Sequence, residues 1–137
     1  MAYDIDDIKI KEDGTDMQIV HPGTGEPLFD EVKDEETGKI TSEPVTLRLV
    51  GQDSDIFKKV QNRITNKRSK MRPGQLTAER LSADTLQIVE ACTVGWSGNL
   101  VLNGEQPTVA KEIYQGRKWI KEQAEQYIYD RANYLGN

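Results

Sequence analysis

"PVTLRLVGQDSDIFKKV", residues 44–60, holds a change of period that decides the fold. In its first half Val45, Leu47 and Leu49 recur at every second position and share one face of an extended strand, with Thr46, Arg48 and Val50 on the other. Gly51 to Asp55 then supplies turn chemistry, with Asp53 or Ser54 as a helix N-cap and Asp55 as a carboxylate that complements the helix dipole. From there Ile56, Phe57, Val60, Ile64 and Met71 fall near helical spacing, until Pro73-Gly74 stops the run. A strand gives way to a helix, and the expected class is α+β.

Upstream, the chain alternates and turns. Asp16 to Val20 and Leu28 to Val32 read as strands, joined by "HPGTGEP" (21–27) and followed by the turn "KDEETGK" (33–39). With Pro44 to Val50 they predict a small N-terminal antiparallel sheet or hairpin whose solvent face is acidic. Downstream, the C-terminal two-thirds read as mainly helical. Thr77 or Ser82 caps a second helix, with Leu81, Leu86, Ile88, Val89 and Cys92 on its apolar face, fading at Gly95. A connector, "VGWSGNLVLNGEQP" (94–107), leads to a short helix from Val109 to about Tyr114, capped by Pro107-Thr108. After Gly116 a last helix is expected from about Lys118 to Leu135, with Trp119, Ile120, Gln123, Ala124, Tyr127, Ile128, Arg131 and Tyr134 at i, i+3, i+4 spacing. The reading is one domain, residues 1–137, with an acidic β-rich front end (1–52) and a helical part (53–137).

Length and composition agree with that plan. The chain has 137 residues, within the usual size of one domain, and 30% of them are charged against 36% hydrophobic. This implies a soluble chain with a modest core. No apolar run approaches the ~20 residues of a membrane span, and "MAYDIDDIKI" lacks the layout of a signal peptide. One cysteine, Cys92, excludes an internal disulfide and suits a reducing cytosol. Beside Ile88 and Val89, it reads as a small buried residue and not a nucleophile.

The net charge of -5 conceals a polarity. Through Asp55 there are fifteen acidic and five basic residues, net -10; from Ile56 onward eight acidic and thirteen basic, net +5. Between Phe57 and Arg72 stand Lys58, Lys59, Arg63, Lys67, Arg68, Lys70 and Arg72, with no acidic residue among them. Three readings stay open for this helix: a solvated face, a docking face for an acidic partner or a neighbouring copy, and a nucleic-acid footprint. The last is disfavoured because no aromatics interleave with the charges. Complementary ends predict salt-sensitive, head-to-tail self-association, weakened by Lys67→Glu with Arg68→Glu.

Catalytic chemistry is not spelled out. His21 is the only histidine and reads as an exposed turn residue before Pro22. One His and one Cys cannot assemble the usual zinc site, "DEETGKITSEP" lacks the ligand alternation of a calcium loop, and "HPGTGEP" lacks the Lys-Ser/Thr of a phosphate loop. No catalytic residue, metal or cofactor is assigned, and a non-enzyme is expected. The aromatic residues are more telling. Trp96, Tyr114, Trp119, Tyr127, Tyr129 and Tyr134 all lie in the C-terminal third. Trp119, Tyr127 and Tyr134 read as core, and Tyr129, on the opposite face from Tyr127, as a contact residue. Trp96 reads either as a plug between the central and C-terminal helices, the preferred reading, or as a partner anchor.

The last third of the chain resembles the tail assembly chaperones of long-tailed bacteriophages. The likeness lies in Gly95-Trp96, the Asn103-Gly104-Glu105-Gln106-Pro107 turn, Ala110 and Tyr114, Trp119-Ile120-Lys121-Glu122-Gln123, and the ending Asp130-Arg131-Ala132-Asn133-Tyr134-Leu135. The order and spacing carry it, and the segment from Val45 to Lys70 is compatible but less specific. Gln106-Pro107-Thr108-Val109 departs from the family's Pro-Phe-Thr-like start to the short helix, and the acidic front end has no matching motif. The resemblance implies a binding protein in the host cytoplasm that coats the tape measure protein, helps recruit tail tube subunits and is absent from the finished virion. In many such phages a translational frameshift extends a fraction of the copies, and a chain ending at Asn137 would be the shorter form of such a pair. Partner contacts are expected at Lys58, Lys59, Arg63, Lys67, Arg68, Trp96, Tyr129 and Arg131. The alternatives are a structural tail component retained in the particle and a small nucleic-acid-binding regulator.

Overall fold

Residues 2–136 are described by a computed structural model. A 3-10 turn (Ile5–Asp7) leads into β1 (Lys9–Ile10), β2 (Thr15–Gln18), β3 (Phe29–Lys33), β4 (Ile40–Pro44) and β5 (Thr46–Leu49). Two helices follow, α1 (Asp55–Ser69) and α2 (Ala78–Cys92). The chain continues through β6 (Thr93–Trp96), α3 (Ala110–Tyr114) and α4 (Lys118–Ile128), and a second 3-10 turn (Arg131–Tyr134) precedes β7 (Leu135–Gly136).

The chain is α+β with antiparallel sheets, but strands and helices do not divide at residue 52. The core sheet has the order β2-β5-β6, so its third strand comes from the middle of the expected connector. β7 returns at the C-terminus to pair with β1. The three front-end strands do not form one sheet either. β4 and β5 are a single extended run that changes partner at Val45, pairing with β3 before it and β2 after it. Leu28 makes the junction: its N–H donates to the Ile19 carbonyl (2.8 Å) and its carbonyl accepts from Val45 N–H (3.0 Å). The β3–β4 hairpin therefore stands out from the core sheet as a two-stranded arm.

Alternation holds where the sheet meets the helices. Val45, Leu47 and Leu49 are buried, and Arg48 is exposed and paired with Asp16 (3.3 Å). Val50 breaks the expected pattern. It lies just past the end of β5 and is buried, its N–H donating to the Cys92 carbonyl (2.9 Å). In β6 the pairing shifts between Arg48 and Leu49, so Val94 is the extra residue of a β-bulge and is left exposed.

Ser54 caps α1, its Oγ accepting from Phe57 N–H (3.2 Å), and Thr77 caps α2 through Arg80 N–H (3.2 Å). α1 buries Phe57, Val60 and Ile64, while Ile56 faces solvent. α2 buries Ile88, Val89 and Cys92, but Leu81 is exposed and the helix ends at Cys92, not at Gly95. The N-cap position of α3 is Val109, with no side-chain cap, while Thr108 Oγ1 donates instead to Glu112 Oε1 (2.6 Å). The last helix also ends early, at Ile128, because the Asp130 side chain caps a 3-10 turn through Ala132 N–H (3.1 Å). Buried residues from Met17 to Ile128 form one cluster, with Ile120, Ala124 and Ile128 contributed by α4. No helix among the described residues is long and apolar enough to cross a membrane.

Candidate functional site

Two surface features stand beyond what the fold requires. The first is a groove of about 310 Å³ between the root of the β3–β4 arm, the loop after β6 and the start of α4. Leu28, Phe29, Leu100, Val101, Leu102 and Trp119 line it, with Asp30 and Arg117 adding opposite charges. Phe29 and Val101 are about half-exposed, at 56% and 47%, while Leu28, Leu102 and Trp119 are partly buried against the core.

Polar side chains fix its walls. Asn99 Nδ2 donates to the Glu43 carbonyl (3.1 Å), and Ser97 Oγ accepts from Thr46 N–H (2.9 Å), which ties the loop to the root of the arm. Gln123 acts as a strand surrogate: its Oε1 accepts from Val20 N–H (3.0 Å) and its Nε2 donates to the Val20 carbonyl (2.9 Å). Asn103 and Gly104 both take positive φ, 52° and 84°, closing a two-residue turn between Leu102 and Glu105. The groove was not foreseen from sequence. Its signal was Leu100-Val101-Leu102, three successive apolar residues in a turn-rich connector, where they cannot all point inward.

The second feature is the basic helix. Lys59, Arg63, Lys67 and Lys70 follow one another at helical spacing along one flank of α1, all exposed, and Lys58 is exposed apart from them. Arg68 differs: its Nε meets Asp84 Oδ2 at 2.9 Å, and Asp84 is buried on α2. Among the described residues it is the one member of the seven that is ion-paired. It holds α1 to α2, so a charge reversal there reports on the fold as well as on docking.

The other expected contact residues are built into the structure to differing degrees. Trp96 does not lie in a loop: it sits on the edge strand β6, opposite Leu47, and packs partly buried against the core. Tyr129 lays its ring edge-to-face on Phe57, with centroids 5.5 Å apart, and is 42% exposed. Burial, with Glu125 nearby, raises the pKa of its hydroxyl. Arg131 grips Asp53 with two hydrogen bonds, Nε to Oδ2 (2.8 Å) and Nη2 to Oδ1 (3.2 Å). That hydrogen-bonded guanidinium holds the Asp53 carboxyl below its ordinary pKa. The two residues thus fasten the C-terminal segment to the start of α1. Tyr134 is buried as expected, and Trp119 and Tyr127 are partly buried against the core.

His21, Cys92 and Tyr114 are each built into the fold. His21 Nδ1 accepts from Gly23 and Thr24 N–H (3.0 and 3.1 Å), closing its own turn. Burial pushes the Cys92 thiol up to about 12 and the Tyr114 hydroxyl up to about 12, where Tyr114 donates to Thr93 Oγ1 (2.6 Å). Comparison of the chain with protein-family models, with curated proteins and with solved structures returns no match.

Proposed function

We propose that this chain is a non-enzymatic tail assembly chaperone that holds the tape measure protein in the host cytoplasm and helps present it to tail tube subunits. The residues behind the family resemblance are mostly engaged in holding the fold. Asp130 caps a turn, Arg131 grips Asp53, Asn133 Nδ2 donates to the Tyr127 carbonyl (3.1 Å) and Tyr134 is buried. Partner contacts are therefore sought in the surface that these residues leave open.

The apolar groove is the observation that carries the proposal. Half-exposed Phe29 and Val101, set beside partly buried Leu28, Leu102 and Trp119, offer reversible burial to one or two apolar side chains of a helix laid across them. Burying a Leu-sized side chain is worth about 1.5–3 kcal/mol, too little for tight binding at one site. Many copies along one long helical chain would add through multivalency. Weak single contacts, repeated, also permit release once tube subunits arrive.

Co-expression with a tape measure protein of the same phage tests this reading. The tape measure protein should remain soluble and co-purify with the chain, and purified virions should lack the chain. The variant Phe29→Asp with Val101→Asp, altering two exposed residues, should remain folded and lose co-purification. Detection of the chain in virions at stoichiometric level would instead support a structural tail component.

A further inference from the structure

Two exposed, oppositely charged surfaces of this chain have no ion-pair partners among the described residues. The β3–β4 arm with its tip carries Asp30, Glu31, Asp34, Glu35, Glu36 and Glu43 against Lys33 and Lys39: six acidic and two basic, net -4. Among the described residues none of these eight takes part in an ion pair, and every residue of β3 is exposed. The α1 flank of Lys59, Arg63, Lys67 and Lys70 is likewise unpaired.

We propose that the β3–β4 arm of one copy docks along the basic flank of α1 of a second copy. Three observations support that partner. The charges are opposite and both sets are unpaired. The lengths agree: Lys59 to Lys70 spans about 16 Å at 1.5 Å per residue, and a five-residue strand spans about 13–17 Å. Each side also adds an exposed apolar residue, Ile40 (59%) on the arm and Ile56 (40%) at the start of the basic flank.

The arm is already shaped for this. Its tip is closed by Asp34, whose N–H donates to the Lys39 carbonyl (2.8 Å), whose carbonyl accepts from Gly38 N–H (2.7 Å), and whose Oδ1 accepts from Glu36 N–H (2.9 Å). Little ordering is then needed on docking. Arm and flank are different surfaces, so the contact is heterologous: each copy keeps one of each free, and the assembly grows as a ring or an open array.

The test uses two charge-reversed full-length chains, Arg63→Glu with Lys67→Glu on the helix and Glu35→Lys with Glu36→Lys on the arm. All four positions are exposed and unpaired, so thermal melts should match wild type. In low salt the wild type should show a weight-average mass that rises with concentration above the 15.5 kDa of one chain and falls back as salt is added. Each variant alone should need a concentration roughly tenfold or more higher to associate. Mixed together, the two variants should recover association as far as a mixed pair, because the unaltered arm of the helix variant meets the unaltered α1 flank of the arm variant. A monomeric wild type in low salt, unimpaired association of either variant, or a mixture that fails to recover would overturn the proposal. So would a wild type that stays monomeric while the helix variant alone loses a salt-sensitive shift with DNA, which would assign the flank to nucleic acid.

Discussion

At the residue scale the junction of Gly51 and Tyr134 is a tight constraint on the sequence. A Cβ at Gly51 would lie 2.7 Å from Tyr134 Cδ2, closer than real carbon contacts allow, and the ring has no room to retreat because Tyr134 is buried. Gly51→Ala should therefore cost about 1–3 kcal/mol in denaturant unfolding. The Tyr134 hydroxyl is also buried without a hydrogen-bond partner among the described residues. Tyr134→Phe should leave stability unchanged or raise it by up to about 1 kcal/mol, since it removes an unmatched polar atom. A clear loss would mean that the hydroxyl has a partner. Titration gives a second check. Cys92 and Tyr114 have folded pKa values of about 12, above the ordinary 9.0 and 10.0, so the unfolded chain loses these protons first. Their contribution is complete below about pH 9 and falls as pH rises towards 12. Unfolding midpoints should drop across that window, and Cys92→Ala should flatten the drop while costing stability at pH 7.

At the element scale the β3–β4 arm is separable from the core. All five residues of β3 are exposed, and the arm is held at its root, by the Leu28 and Val45 backbone bonds and by Asn99 on the Glu43 carbonyl. Replacing residues 31–42 by a short glycine-containing turn should move the thermal midpoint by less than roughly 3 °C and abolish salt-sensitive association. A large fall would mean that the arm supports the core. What the sequence disclosed at this scale follows locality. The Ser54 and Thr77 caps, the 45–49 alternation and the Asn103-Gly104 turn depend on neighbours within four residues, and all were legible. β6 was not, because Thr93-Val94-Gly95-Trp96 has no clean alternation and is a strand only through pairing with β5, more than forty residues earlier. The end of α4 misled for another reason. Arg131, Tyr134 and Leu135 continue helical spacing, but a capped 3-10 turn carries side chains at nearly the same interval. Of the expected contact residues, the exposed lysines and Arg63 were legible as surface charge. The structural duties of Arg68 and Arg131 were hidden, since Asp84 and Asp53 reach them only through the fold.

At the scale of the whole molecule, the apolar groove and the charged contact surfaces are assigned different partners. On the proposals made above, the groove, apolar with a charged rim, takes side chains of a long helical chain, and the arm and the α1 flank take another copy. Together they describe a protein that could line up along a partner while gripping it weakly at each step. The groove is the central claim, and amide hydrogen exchange on the full chain tests it most directly, with and without a purified helical segment of the tape measure protein. Slowed exchange at Leu28–Phe29, Leu100–Leu102 and the start of α4, absent in the Phe29→Asp, Val101→Asp variant, is the expected result. Protection confined to the α1 flank, or no protection while the segment binds, would contradict the assignment of the groove.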